Sequence, residues 1–169
     1  MGSTATVAVI MGSDSDLEAM RRCIEQLKAF GITPRVRVLS AHRTPQAVEE
    51  FAAAAPGEGI KVIIAAAGMS AALAGTIAAR TSLPVIGVAM VAPPLGGIDA
   101  LLATVQMPPG VPVACTGLGA AGATNAAIFA AEILALSDPP LAERLAQFKA
   151  EQTREVLARD EKARQEFGG

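Results

Sequence analysis

The sequence predicts an α/β fold built on a parallel sheet covered by helices on both faces. Three observations carry that reading. Apolar β-type runs alternate with helix-patterned segments until the composition changes near residue 137, which is the signature of successive βαβ units with right-handed crossovers. Most of the runs are near-continuous Val, Ile and Ala, as strands buried on both faces require. The chain is 51% hydrophobic yet only 3% aromatic, so its core must be built from small aliphatic side chains that let helices lie close to a sheet. Its 169 residues are enough for one domain with a full core, without disulfides or metals as staples.

The elements follow in order. "TVAVIMG" (6–12) is a continuous β-type run stopped by glycine. In "SDSDLEAMRRCIEQLKAFGI", Leu17, Met20, Ile24 and Leu27 recur at helical spacing, and Gly31 stands where a helix C-cap belongs. "PRVRVLS" alternates with period two and predicts a second strand. "TPQAVEEFAAAAPGEG" predicts a helix with Thr44 as N-cap and Pro45 at its first position. "KVIIAAAG" is a third strand, followed by the small-residue helix "SAALAGTIAART". "PVIGVAM" is a fourth strand and "GGIDALLATVQM" a helix; "VPVACTGL" is a fifth strand and "AAGATNAAIFAAEILAL" an alanine-rich helix. Beyond "SDPP" comes an extended, charged amphipathic helix at about 139–167, with an apolar stripe of Leu141, Leu145, Phe148, Val156 and Leu157. That stripe must dock on its own domain or on another subunit. No repeat or second domain is visible, so residues 1–169 form one unit with a core at about 6–137.

Composition excludes several function classes. The net charge is −2 with mixed signs, and neither a basic stripe nor a base-stacking array of aromatics offers a nucleic-acid surface. No apolar segment reaches membrane-spanning length, and the start lacks the pattern of a secretory signal. The opening Met-Gly-Ser-Thr-Ala-Thr fits the loose myristoylation pattern around Gly2, a match short enough to arise by chance. Cys23 and Cys115 lie far apart with no metal-ligand spacing; they are expected to be small buried hydrophobes with free thiols, in a reducing, cytoplasmic setting. One histidine and two scattered cysteines offer no metal cluster.

In an open parallel sheet, ligands bind beyond the carboxyl ends of the strands. The residues there are Gly12, Ser13, Asp14, Ser15 and Asp16 after the first strand, and Ser40, Ala41, His42 and Arg43 after the second. Gly68, Met69, Ser70, Ala71 and Ala72 follow the third; Ala92, Pro93 and Pro94 the fourth; Gly117, Gly119 and Gly122 the fifth. The first loop, rich in glycine and hydroxyls and opening a helix, suits a phosphate, with Asp14 and Asp16 either holding sugar hydroxyls or capping the helix. "GLGAAG" (117–122) matches GxGxxG but follows the last strand, which indicates close backbone approach and not a dinucleotide site. His42 is the only histidine of the chain. An imidazole gives and takes protons near neutrality, and the adjacent Arg43 suits bidentate binding of a phosphate. No GxSxG elbow marks a nucleophile.

The stretches "VIMGSDSD", "VLSAHRTP", "IIAAAG", "LPVIGV", "VQMPPGVPVA" and "GAAGATNAA", in this order and spacing, resemble the class I PurE family, the N5-carboxyaminoimidazole ribonucleotide mutases of purine biosynthesis. The resemblance runs from about residue 6 to 160. It implies a three-layer αβα sandwich of flavodoxin or Rossmann-like type with a five-stranded parallel sheet, assembled as a homo-octamer in which the C-terminal helix packs on neighbouring subunits. It also implies that Ser13 and Asp16 serve the phosphate and ribose loop, that Arg43 grips the phosphate and that His42 is catalytic. Gly12, Ser15, Ser40, Ala41, Gly68, Ser70, Ala72 and Leu73 join them as substrate-binding candidates. The implied reaction carries a carboxyl group from N5 to C4 of the ribonucleotide by release and recapture of CO2, with His42 as general acid/base and no metal or organic cofactor.

One segment departs from the family. Class I members usually read Ala-Gly-Gly-Ala-Ala-His-Leu-Pro-Gly after the third strand, where this chain has Ala67-Gly68-Met69-Ser70-Ala71-Ala72-Leu73-Ala74-Gly75. A second histidine is thus replaced by Ala72. Ser70, Ala72, Leu73 and Gly75 agree instead with the sister class II, carboxylases of aminoimidazole ribonucleotide that use free CO2. The alternatives are therefore direct carboxylation, or a nucleotide-binding paralogue without turnover.

Overall fold

The computed structural model describes residues 6–168; the myristoylation match at Gly2 lies outside them. Five strands, β1 (Val7–Met11), β2 (Arg35–Val38), β3 (Val62–Ala67), β4 (Val85–Ala89) and β5 (Ala114–Leu118), form one parallel sheet in the order β2-β1-β3-β4-β5. The helices are α1 (Leu17–Ala29), α2 (Pro45–Ala54), α3 (Leu73–Ala78), α4 (Ile98–Val105), α5 (Gly119–Ala135) and α6 (Pro139–Phe167), with short 3-10 turns at Asp14–Asp16 and Ala55–Glu58.

Strand periodicity divides the core in two. Val7, Val9, Met11, Ile64, Ile86 and Val88 face α1, α5 and the first half of α6. Ala8, Ile10, Ile63, Ala65 and Val85 face α2 and α3. Ala89 packs with Ala71 and with Ala100 of α4. The molecule is thus the expected three-layer αβα sandwich.

Local chemistry explains most boundaries. α1 ends in a Schellman motif: Ile32 N–H donates to the Leu27 carbonyl at 2.9 Å and Gly31 N–H to that of Lys28 at 2.8 Å, with Gly31 at φ 77°. Its buried stripe is Met20, Cys23 and Leu27; Leu17 is exposed and Ile24 only half-buried, so Cys23 holds the core position. Burial pushes the Cys23 thiol up to about 12, which leaves it a small hydrophobe. Cys115 is half-buried on β5 and is also free. Pro45 opens α2 as expected, but Thr44 makes no capping bond; its hydroxyl turns back to Ser40 instead.

The period-two reading of β2 holds for its conformation but not for its burial. β2 is an edge strand, and Val36 and Val38 are 39% and 50% exposed. The GxGxxG match resolves as self-packing. A Cβ on Gly122 would stand 2.5 Å from the Gly117 carbonyl oxygen, so the glycines let the start of α5 close on the end of β5.

The stripe of α6 is only half used within the chain. Leu141 and Leu145 are buried, and Phe148 meets Phe30 edge-to-face at 5.3 Å and 84°. Arg144 Nε donates to the Phe30 carbonyl at 3.0 Å, and Lys149 pairs with Glu132 of α5 at 2.8 Å. From Glu151 onward every described residue is exposed, Val156 and Leu157 included. Replacing the half-buried Phe148 with Ala is expected to cost about 1–2 kcal/mol through lost ring contact and burial. A fall in the urea midpoint at unchanged slope would verify this; an unchanged midpoint would show that the aromatic pair contributes nothing.

Candidate active site

Four strand ends are held level by hydrogen bonds that continue the ladder past the strands. Leu39 N–H donates to the Met11 carbonyl, Gly12 N–H to that of Ala66 and Met90 N–H to that of Ala67, each at 2.9 Å. The loops after β1, β2, β3 and β4 therefore leave the sheet at one edge, around the β1/β3 switch point. They enclose a cleft of about 730 Å³.

All twelve sequence-derived candidates line this cleft: Gly12, Ser13, Ser15 and Asp16; Ser40, Ala41, His42 and Arg43; Gly68, Ser70, Ala72 and Leu73. Ala92 and Pro93 line it too, while Pro94, Gly117, Gly119 and Gly122 do not. For the glycines the reason is topological: β5 is the edge strand beyond β4, and Gly122 at the start of α5 packs on Gly117 inside β5. Met69, named at the sheet edge but not as a substrate-binding candidate, lines the cleft as well, and so do Met90 and Val91, which were not named there. Phe129 and Phe167, though exposed, are not part of the lining, so they supply no stacking surface there.

The two polar loops brace each other. The Ser13 hydroxyl accepts from Ser15 N–H at 3.3 Å and lies 2.9 Å from the Ser15 hydroxyl. Ser13 thus caps the 3-10 turn, whereas Asp16, at the N-cap position of α1, makes no capping bond. Of the two aspartates only Asp16 faces the cleft. The Ser40–Thr44 loop is closed by Thr44 N–H on the Ser40 carbonyl at 2.8 Å and by Arg43 N–H on the Ser40 hydroxyl at 3.2 Å. Arg43 Nη2 crosses to the Gly12 carbonyl at 3.0 Å. That bond fixes the guanidinium at the mouth of the first loop and leaves further N–H donors for a ligand.

Burial raises the Asp16 carboxyl above its ordinary value, and Asp14 nearby adds to this; bonding from the Ser13 backbone and Ser15 hydroxyl, and the Arg43 charge, pull it down less strongly. An acid raised on folding stabilises the fold below its unfolded value of about 4, and that contribution is lost as pH rises through the folded value. Asp16→Asn is therefore expected to raise the melting temperature at pH 7, with a gain that shrinks toward pH 4. A lower melting temperature at pH 7 would mean that the ionised carboxylate is net stabilising.

The cleft has two halves. Hydroxyls, Asp16, His42 and Arg43 form the side built from β1 and β2, while Leu73, Met69, Met90, Val91, Ala92 and Pro93 make the side built from β3 and β4 largely apolar. Among the described residues, Asp16, His42 and Arg43 are the only Asp, Glu, His, Lys, Arg or Cys residues that line the cleft. Among the described residues no group of three or more His, Cys, Asp or Glu side chains converges on a metal position, and no helix is long and apolar enough to cross a membrane.

The family model described as AIR carboxylase matches residues 6–155. The chain belongs to this family. It is 50% identical over 153 residues to the N5-carboxyaminoimidazole ribonucleotide mutase of Brucella melitensis, covering 90% of this chain and 94% of the relative. It is 49% identical over 154 residues to the protein of the same name from Pseudomonas aeruginosa, covering 91% and 94%. The crystal structure of Treponema denticola PurE superposes with a TM-score of 0.84 at 27% identity, over 92% of this chain and 96% of that one. The family resemblance and the fold drawn from the motifs are both borne out.

Proposed function

We propose that the chain is a mutase of purine biosynthesis that converts N5-carboxyaminoimidazole ribonucleotide to 4-carboxy-5-aminoimidazole ribonucleotide. The observation that carries this reading is the lone imidazole, His42, sharing one cleft with Arg43 and the Ser13 loop, in a chain about half identical to proteins named for that reaction. Arg43, Ser13 and Ser15 bind the phosphate, and Asp16 accepts from the ribose hydroxyls. The backbone and small side chains of Gly12, Ser40, Ala41, Gly68 and Ala72 let the nucleotide approach closely, with Ser70 and Leu73 at its base.

The bond between N5 and the carboxyl carbon breaks, its electron pair stays on nitrogen, and protonated His42 gives that nitrogen a proton. C4 of the ring then attacks the freed CO2, and His42 accepts the proton that C4 gives up. The protein supplies position, proton transfer and an apolar wall against loss of CO2. The chemistry as written calls for no metal or organic cofactor. The chain acts as one unit in the cytoplasm, with a small ribonucleotide as its partner and neither nucleic acid nor membrane.

Copies of the chain assemble, as an octamer by family resemblance. Support comes from Ile98, Leu102 and Val105, exposed at helical spacing on α4, from Val91 and Leu95 beside the cleft, and from the undocked half of α6.

One observation favours a second reading. The absence of any imidazole in the cleft besides His42, with Ala72 where class I members carry histidine, fits direct carboxylation of aminoimidazole ribonucleotide by free CO2. The purified protein is given either the N5-carboxy nucleotide, or the uncarboxylated nucleotide with bicarbonate. Product from the first is expected; product from the second pair alone would replace the mutase by the carboxylase. Nucleotide binding with turnover of neither would leave a binding paralogue.

A further inference from the structure

Met69 is the only residue other than glycine with positive φ among the described residues, at 56°. Residues with a β-carbon take up the left-handed region at a cost. The loop that imposes it is tightly closed: Ala71 N–H donates to the Met69 carbonyl at 2.9 Å and Ala72 N–H to that of Ser70 at 2.7 Å. Gly68, just before it, lies beside the loop after β4, where a Cβ would make ordinary contact with Met90 Cβ at 3.4 Å. The core gains nothing in return for the strain, because Met69 is 60% exposed. It stands instead at the rim of the cleft's apolar half, across from the His42 loop. Strain held where packing does not repay it points to function. A long, unbranched thioether with three rotatable bonds suits an adaptable apolar cover.

Resting on the mutase reading above, we propose that Met69 determines how completely the freed carboxyl group is retained, covering the apolar half of the cleft while CO2 passes from N5 to C4. CO2 is small and apolar. A wall of methyl, methylene and thioether groups holds it beside the ring and keeps water out, so recapture competes with escape. A gap at position 69 opens that wall on its solvent side.

The test uses N5-carboxy nucleotide labelled with carbon-13 in its carboxyl group, in buffer holding unlabelled bicarbonate. The label in the carboxylated product and the yield of uncarboxylated nucleotide are followed for wild type, Met69→Gly and Met69→Leu. Met69→Gly relieves the strained backbone, so its melting temperature is expected at or above that of wild type, and its losses are not those of a misfolded chain. Wild type is expected to keep most of its label. Met69→Gly should raise the ratio of uncarboxylated nucleotide to product about threefold or more, and Met69→Leu should restore most of the retention. Equal retention in wild type and Met69→Gly, with both turning over, would overturn the role of Met69 and leave the mutase reading standing. A wild-type protein that makes no product from the N5-carboxy nucleotide would overturn that reading, and the proposal with it.

Discussion

Replacing His42 with Asn is expected to abolish carboxyl transfer, lowering kcat by about 10²–10⁴-fold, while nucleotide affinity stays within about tenfold of wild type. The split follows from where the groups sit. Among the described residues His42 makes no hydrogen bond that holds the site together, whereas the Ser40–Thr44 loop that carries it is closed by Ser40, Arg43 and Thr44. Losing the imidazole therefore removes a proton acceptor and leaves the loop intact. Asn keeps a polar side chain of similar reach that cannot take a proton from carbon. Steady-state assays at saturating substrate give kcat and calorimetry gives affinity. Turnover close to wild type would take the proton-transfer role away from His42, and a large loss of affinity with normal kcat would make it a binding residue.

Arg43→Ala is expected to do the reverse, weakening nucleotide binding by about 1.5–3 kcal/mol, the usual worth of a hydrogen bond to a charged group. Kcat at saturating substrate should change far less, because the phosphate is remote from C4. Two effects combine in the loss. The phosphate loses its guanidinium, and the bond to the Gly12 carbonyl that ties the second loop to the first is removed. Arg43→Lys should recover only part of the affinity, since an ammonium cannot serve that carbonyl and a phosphate as a planar fork does. Calorimetric titration at two salt concentrations checks this: the affinity gap between wild type and Arg43→Ala should narrow as salt rises. A gap that is absent, or that appears in kcat alone, would show that the arginine does not bind phosphate.

Much of this architecture was legible in the sequence because local chemistry and tertiary packing agree. The glycine at 31 ends α1, the proline at 45 begins α2, and unbroken apolar runs mark β1, β3 and β4 as buried. The site was legible for a further reason: parallel strands deliver every loop that follows them to one edge, so polar residues after the strands must converge. What stayed hidden depends on strand order, which alternation does not encode. Nothing in "PRVRVLS" says that β2 is an edge, nor in "GLGAAG" that β5 lies too far out for its glycines to reach the cleft.

Met90 and Val91 were missed as lining residues, and Met69 was placed at the sheet edge but not among the substrate-binding candidates, because an apolar residue after a strand looks the same whether it faces a core or a ligand. The left-handed turn at Met69 carries no local signal, since glycine or asparagine is what such a turn ordinarily shows. Cys23 is buried as a small hydrophobe, as expected, but it was not placed in the stripe of α1, where it holds the core position in place of Leu17 and Ile24.

A crystal structure of the protein with 4-carboxy-5-aminoimidazole ribonucleotide is the most direct measurement of the central claim. The phosphate should lie against Ser13 and Arg43, with C4 within about 4 Å of an imidazole nitrogen of His42, close enough for proton transfer. A nucleotide held in the cleft with C4 turned away from His42, and that ring left facing solvent, would contradict the account.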